Sequence, residues 1–179
     1  MKPYSEIKGW FNHETVYDFL VSNCPKDGTF VECGAWLGKS SAYLVDICGY
    51  KNINVYIVDS WQGSASELDS HHLIAKTQDI YSMFLENMSP RKFNHIKALS
   101  CEASLNFDNE SCDVVFIDME HTYSAVKNDI ELWLPKVKTG GYIAGHDYHP
   151  NWQGVIQAVD EKFGNNITVK NTCWIYRKE

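Results

Sequence analysis

A doubly wound, mostly parallel α/β sheet is the fold class this sequence predicts, on three observations. Short β-branched and aromatic runs alternate with longer amphipathic stretches almost throughout the chain. The segment Phe30-Val31-Glu32-Cys33-Gly34-Ala35-Trp36-Leu37-Gly38-Lys39-Ser40-Ser41 reads as a buried strand that enters a glycine turn and then a helix. Finally, the predicted strands end in acids and histidines, at the carboxyl ends where such sheets bind ligands.

Taken in order, the N-terminal segment 1–27 carries one short helix, Val16 to Val21, expected to pack on the sheet edge. Strands are predicted at Thr29 to Cys33, Val55 to Asp59, His95 to Leu99, Asp113 to Asp118, Tyr142 to Gly145 and Cys173 to Tyr176. Most are bounded by Gly, Asp, Asn or Ser. Helices are predicted at Ser40 to Cys48, Leu73 to Met88, Tyr123 to Leu134 and Val155 to Phe163. In the third of these, Val126, Ile130, Trp133 and Leu134 form one apolar stripe, which Pro135 and a Gly140-Gly141 turn are expected to end. Trp133 and Trp174 fall in core periodicity.

Composition bounds the function. A chain of 179 residues with 44% hydrophobic and 22% charged residues is expected to form one domain, 1–179. A net charge of -7 without a Lys/Arg run argues against nucleic acid and against an anionic membrane surface, leaving a small molecule as the expected partner. The six cysteines contain no C-x-x-C pair, so reduced thiols in a cytoplasmic protein are expected rather than a zinc cluster or a disulfide framework. No basic-then-apolar leader and no membrane-length apolar run occurs. The N-terminal aromatics Tyr4, Trp10 and Phe11 suggest a homodimer in which a second copy completes the acceptor pocket.

The glycine loop has the spacing acid-x-Gly-x-x-x-Gly, with Glu32 two residues before Gly34 and with Gly38 at the start of the next helix. A dinucleotide fingerprint would be Gly-x-Gly-x-x-Gly aimed at a pyrophosphate. A carboxylate at Glu32 would repel a pyrophosphate and suits a ligand carrying amino groups, which favours S-adenosylmethionine over NAD. An ordinary glycine turn in a nucleotide-free protein is the alternative. Asp59, 25 residues after Gly34, is placed to accept hydrogen bonds from a ribose diol, although a solvated strand-end acid reads the same way. The fourth and fifth strands aim Asp118, His121, His146 and Asp147 at one spot. Two carboxylates with an imidazole suffice to hold Mg2+ or Mn2+, and a histidine-aspartate network that merely ties loops together is the competing reading. Tyr148, His149 and Trp152 read equally as a substrate wall or as an ordered turn before the helix, and the polar loop 63–72, with His71 and His72, reads as a solvated or mobile surface, although such loops often serve as lids.

Four motifs in sequence carry a family resemblance: Phe30 to Ser41, Val58-Asp59-Ser60-Trp61-Gln62-Gly63, Phe116-Ile117-Asp118-Met119-Glu120-His121-Thr122-Tyr123, and Gly140 to Tyr148. Over residues 28–164 the chain resembles the class I S-adenosylmethionine-dependent methyltransferases, with a Rossmann-like methyltransferase core. It is most similar to the small bacterial and phage type, and also to metal-dependent catechol and sugar O-methyltransferases. The resemblance implies that Glu32, Gly34, Trp36, Gly38 and Ser40 form the methionine side of the cofactor pocket, that Asp59 takes the ribose, and that Trp61, Cys101 and Glu102 border the adenine. It further implies that Asp118 lies near both the cofactor and the metal, and that His146 and Asp147 complete the metal site. His121 stands where catechol-type enzymes carry a lysine base, so it is the expected base, acting with Asp118. Met119 and Glu120 depart from the expected pattern and leave a metal role for Glu120 open. The implied activity is methyl transfer to a hydroxyl of a small molecule. A metal-independent N- or carboxyl-methyltransferase and a non-catalytic cofactor-binding module are the alternatives.

Overall fold

The structure, a computed structural model, describes residues 1–63 and 74–179. His71, His72, Leu73 and the centre of the loop 63–72 lie outside the described residues. Seven strands form one sheet in the order β3-β2-β1-β4-β5-β7-β6. They are β1 (Thr29–Cys33), β2 (Asn54–Asp59), β3 (Asn94–Lys97), β4 (Cys112–Ile117), β5 (Val137–Gly145), β6 (Thr168–Lys170) and β7 (Cys173–Arg177). The first five are mutually parallel, and β7 runs antiparallel to both β5 and β6. Among the described residues, six α-helices flank them: α1 (Glu14–Asn23), α2 (Lys39–Cys48), α3 (Ile80–Met88), α4 (Ser100–Ala103), α5 (Tyr123–Trp133) and α6 (Gln153–Phe163).

The sheet is buried on both faces, which is why its central strands read as near-continuous apolar runs. Phe30, Val114 and Phe116 point into one layer with Leu20, Leu44 and Phe84 of α1, α2 and α3. Val31, Val115 and Ile143 point into the other with Ile130, Trp133 and Val159 of α5 and α6. Period-two alternation therefore divides each strand between two helical layers, and Trp133 and Trp174 are core residues as the periodicity predicts. Burying an aromatic of this size contributes roughly 1.5–3 kcal/mol, so the two layers carry the stability while the strand tips are left for chemistry.

Several boundaries differ from the sequence reading. Gly140 and Gly141 are not a turn: they lie inside β5, where the pairing with β4 shifts register after Cys112 and Gly140 takes φ +85°. A bulge uses the freedom of glycine as a turn does, and the sequence does not separate the two. β3 stops at Lys97, because Leu99 leaves the sheet to precede α4, a helix too short to show periodicity. β6, exposed at all three residues, has no apolar alternation to announce it. α3 begins at Ile80, where the Asp79 carboxylate accepts the Ser82 N–H at 3.0 Å; Ala75 to Thr77 form a turn before it, with the Thr77 and Gln78 N–H groups donating to Ile74 O.

Candidate active site

The carboxyl ends of β1, β2, β4 and β5 are knitted together beyond the strands themselves. Gly34 N–H donates to Val58 O (2.8 Å), Asp118 N–H to Cys33 O (2.7 Å) and His146 N–H to Ile117 O (3.1 Å). Gly34 has φ +98°, and a Cβ added there would lie 1.8 Å from the Asp118 carbonyl oxygen. Only glycine lets the loops after β1 and β4 touch, which sets the first loop directly beside Asp118. Above these ends opens a cavity of about 790 Å³, in the range of small-molecule sites.

On the β1–β2 side the acids are held by protein donors. Asp59 Oδ2 accepts the N–H groups of Ala35 (2.8 Å) and Trp36 (2.9 Å), and Oδ1 accepts that of Trp61 (2.6 Å). Burial raises the Asp59 carboxyl above the usual range, with those backbone donors opposing the rise. Both Trp36 and Trp61 sit at positive φ, +49° and +53°, so Asp59 clamps two strained turns while facing the cavity. Glu32 is fully buried and does not line the cavity. It accepts hydrogen bonds from Tyr17 (2.7 Å) on α1 and Ser41 on α2, and burial pushes it up to about 7.

The expected cofactor residues accordingly divide. Gly34, Trp36, Ser40, Asp59, Cys101 and Asp118 line the cavity. Gly38 lies behind it, capping α2 against Phe84 and Met88. Trp61 is a core residue, packed on Tyr81 and Phe84 with its indole N–H on Trp36 O (2.9 Å). Glu102 faces outward and accepts the Leu99 N–H (3.3 Å).

On the β4–β5 side the titratable groups meet one another. His121 Nε2 lies 2.8 Å from Asp147 Oδ2 and 3.8 Å from Asp118 Oδ1; His146 Nδ1 lies 3.3 Å from Asp147 Oδ2 and 3.8 Å from Asp118 Oδ1. Asp147 sits in the left-handed region (φ +58°), which an aspartate tolerates better than most residues and which turns its carboxylate back between the two imidazoles. Burial alone would raise its carboxyl, but the bonds and charges of His121 and His146 outweigh that and hold it well below the usual range. Burial would likewise lower His146, yet its bond to Asp147 and the charge of Asp118 leave it raised.

One ligand atom each from Asp118, His121 and Asp147 lies within 4.8 Å of the others. His146, expected to group with Asp118 and Asp147, keeps its Nδ1 3.8 and 3.3 Å from those acids and its Nε2 3.0 Å from Thr172 Oγ1, while His121 joins the same two acids. Trp152, expected as a substrate wall, lines the cavity with its ring 4.3 Å from that of His121, and Glu120 lines it as well.

Two features escaped the sequence reading. Lys8 to Asn12 form a strap along the cavity, with Trp10 6.5 Å from Trp36, whereas Tyr4 and Phe11 turn inward onto Tyr43. Trp10 therefore lines the cavity of its own chain. Asp129 on α5 also lines it, almost buried and pushed up to about 6 by desolvation against its bond with Ser100. Asp129 falls on the apolar side of that helix, three residues after Val126 and four before Trp133, so the spacing itself carried the signal of a buried acid.

Residues 31–148 match the family described as a methyltransferase domain. The chain belongs to this methyltransferase-domain family. Among solved structures, the domain is similar to the O-methyltransferase NovP (TM-score 0.67, 17% identity, 92% of this chain and 78% of that one). It is similar also to an SAH-bound methyltransferase of Podospora anserina (0.62, 13%, 92% and 76%) and an rRNA methylase of Streptococcus thermophilus (0.58, 14%, 96% and 100%). At these identities the likeness shows the fold, the Rossmann-like methyltransferase core. An uncharacterised protein of Acanthamoeba polyphaga mimivirus is 25% identical over 142 residues, 76% of this chain and 59% of its own length. An uncharacterised protein of Sinorhizobium fredii is 27% identical over 93 residues, 51% of this chain and 10% of its own length. The chain thus spans about three fifths and a tenth of these two relatives. Among the described residues of the methyltransferase domain, no helix is long and apolar enough to cross a membrane.

Proposed function

We propose that this methyltransferase domain moves the methyl group of S-adenosylmethionine to a hydroxyl of a small molecule, assisted by Mg2+ or Mn2+. The observation that carries the reading is the convergence of Asp118, His121 and Asp147 in the cavity that the adjoining Gly34–Trp36 turn also lines. Gly34, Trp36, Ser40, Asp59 and Cys101 would hold the cofactor, with Glu32, Gly38 and Trp61 shaping the pocket from behind. S-adenosylmethionine, when bound, supplies an electrophilic methyl group.

The convergent, partly exposed carboxylates of Asp118 and Asp147 fit a hard divalent cation that prefers oxygen donors, and leave His121 beside them for the substrate. When bound, that cation would lower the pKa of a substrate hydroxyl. His121 takes the hydroxyl proton. Asp147, at 2.8 Å from Nε2, fixes the imidazole tautomer and stabilises the charge that proton transfer creates. Trp152 holds the ring by stacking and limits water at the reacting oxygen. The negative net charge of the chain favours an uncharged or cationic small acceptor over a nucleic acid.

The ion pairs among Asp118, His121, His146 and Asp147 favour one second reading, in which the cluster works without a cation and the acceptor is a nitrogen or a carboxylate. Calorimetry with S-adenosylhomocysteine tests the cofactor: no binding at millimolar concentration overturns both readings. Methyl transfer to hydroxyl acceptors that rises with Mg2+ and stops with EDTA supports the first, and turnover indifferent to EDTA supports the second.

A further inference from the structure

His13 is the one residue among the described buried side chains whose imidazole has neither ring nitrogen hydrogen-bonded. It is 1% exposed, lies parallel to Phe116 at 5.3 Å, and is edged by Phe11 and Tyr17. An imidazole carries at least one donor or acceptor at each nitrogen in every state, so burial of both without partners is unfavourable, and an apolar side chain would fill the same space without that penalty. Among the described residues, the side chains whose ligand atoms gather at that ring are His146, 4.5 Å away between centroids, and the fully buried Cys173. One ligand atom from each of the three lies within 4.8 Å of the other two.

This group differs in kind from the carboxylate cluster beside it. Its donors are two nitrogens and a sulfur, a set that selects a borderline-soft cation such as Zn2+ and is poor for Mg2+. Its members come from three elements: the strap before α1, the tip of β5 and the start of β7. We propose that His13, His146 and Cys173 form a second cation site that takes Zn2+, leaving a fourth position for water. On binding, the Cys173 thiol releases its proton to solvent and the thiolate and two neutral imidazoles each give a lone pair to the ion, with no change of oxidation state. Occupancy pins the strap Lys8–Asn12, one wall of the cavity, through the adjoining His13 to β5 and β7, and fixes which His146 nitrogen is left to face Asp147. Zinc at this site therefore governs both the cavity wall and the partner of the carboxylate cluster.

Cobalt reports the donor set directly. The full-length protein, stripped with chelator and returned to buffer containing Mg2+, is titrated with Co2+ alone and followed by electronic absorption. One equivalent should produce a thiolate-to-cobalt charge-transfer band, and Zn2+ should displace it. Cys173→Ser, a near-isosteric change at a buried thiol, should abolish the band, and His13→Gln should weaken binding at least about tenfold. A thermal melt of each apo variant shows that it is folded, and the wild-type spectrum decides the matter if His13→Gln is not. Absence of Co2+ binding, binding without a thiolate band, or a band that survives in Cys173→Ser overturns the proposal. Because the band reads sulfur ligation and the EDTA experiment reads turnover, either site can fail without the other.

Discussion

The two halves of the sheet tip hold acids in opposite ways. On the β1–β2 side, Asp59 is surrounded by the N–H groups of Ala35, Trp36 and Trp61, and Glu32 by the hydroxyls of Tyr17 and Ser41. On the β4–β5 side, Asp118 and Asp147 meet the imidazoles of His121 and His146, with side chains 30% and 20% exposed. The first pair is held by architecture, Asp59 by the turns after β1 and β2 and Glu32 by α1 and α2. The second faces groups that gain or lose protons, and this half can change its charge during a reaction. The difference teaches that an acid at a strand end is assigned by what already bonds it, not by its position.

The largest effect should come from removing the centre of the second half. Asp147→Ala leaves both His121 and His146 without their nearest carboxylate, and should lower kcat/KM about a thousandfold or more, roughly 4 kcal/mol in the barrier. Steady-state rates with S-adenosylhomocysteine affinity as a control measure this. A loss under tenfold would mean that the β4–β5 cluster is as architectural as the β1–β2 one.

His121→Ala sharpens the role within the cluster. As the base, it should cost about a hundredfold in turnover while Mn2+ affinity, measured by electron paramagnetic resonance, stays within about threefold. A large loss of Mn2+ affinity instead assigns His121 to the cation, in line with its place beside Asp118 and Asp147.

Asp59→Ala tests the first half. The backbone donors at Ala35, Trp36 and Trp61 lose their acceptor, and S-adenosylhomocysteine binding should weaken by about 1–3 kcal/mol in calorimetry. Unchanged affinity with an unchanged melting temperature would remove Asp59 from both the turn and the ligand.

The smallest effect is on stability. Burial holds the Glu32 carboxyl near 7 in the folded chain against an ordinary value of 4.5, so the folded protein keeps a proton that the unfolded chain has released. That contribution to stability is complete below about 4.5 and is lost as the pH rises through about 7. Glu32→Gln keeps the shape and removes the ionisation. The melting temperature of the wild type should therefore fall by a few degrees relative to the variant between pH 5 and 8. Parallel melting curves across that range would show that Glu32 stays charged in its pocket.

Local pattern determined much of this protein. Period-two runs such as Thr29 to Cys33 and the stripe Val126, Ile130, Trp133 specify strand and helix because burial on two faces leaves a periodic apolar record. Their alternation specifies a parallel sheet, and such a sheet places Asp59, Asp118, His146 and Asp147 at one end. Tertiary structure alone decided how those tips are bonded. It turned Asp147 between two imidazoles through a left-handed backbone, buried Trp61 and Glu32, laid Trp10 beside Trp36, and brought His13 across more than a hundred residues to His146 and Cys173. The physical reason is range: hydrophobic periodicity is written in neighbouring residues, whereas a hydrogen-bond partner or a ligand set is a short distance between residues far apart in sequence, and no local pattern records it.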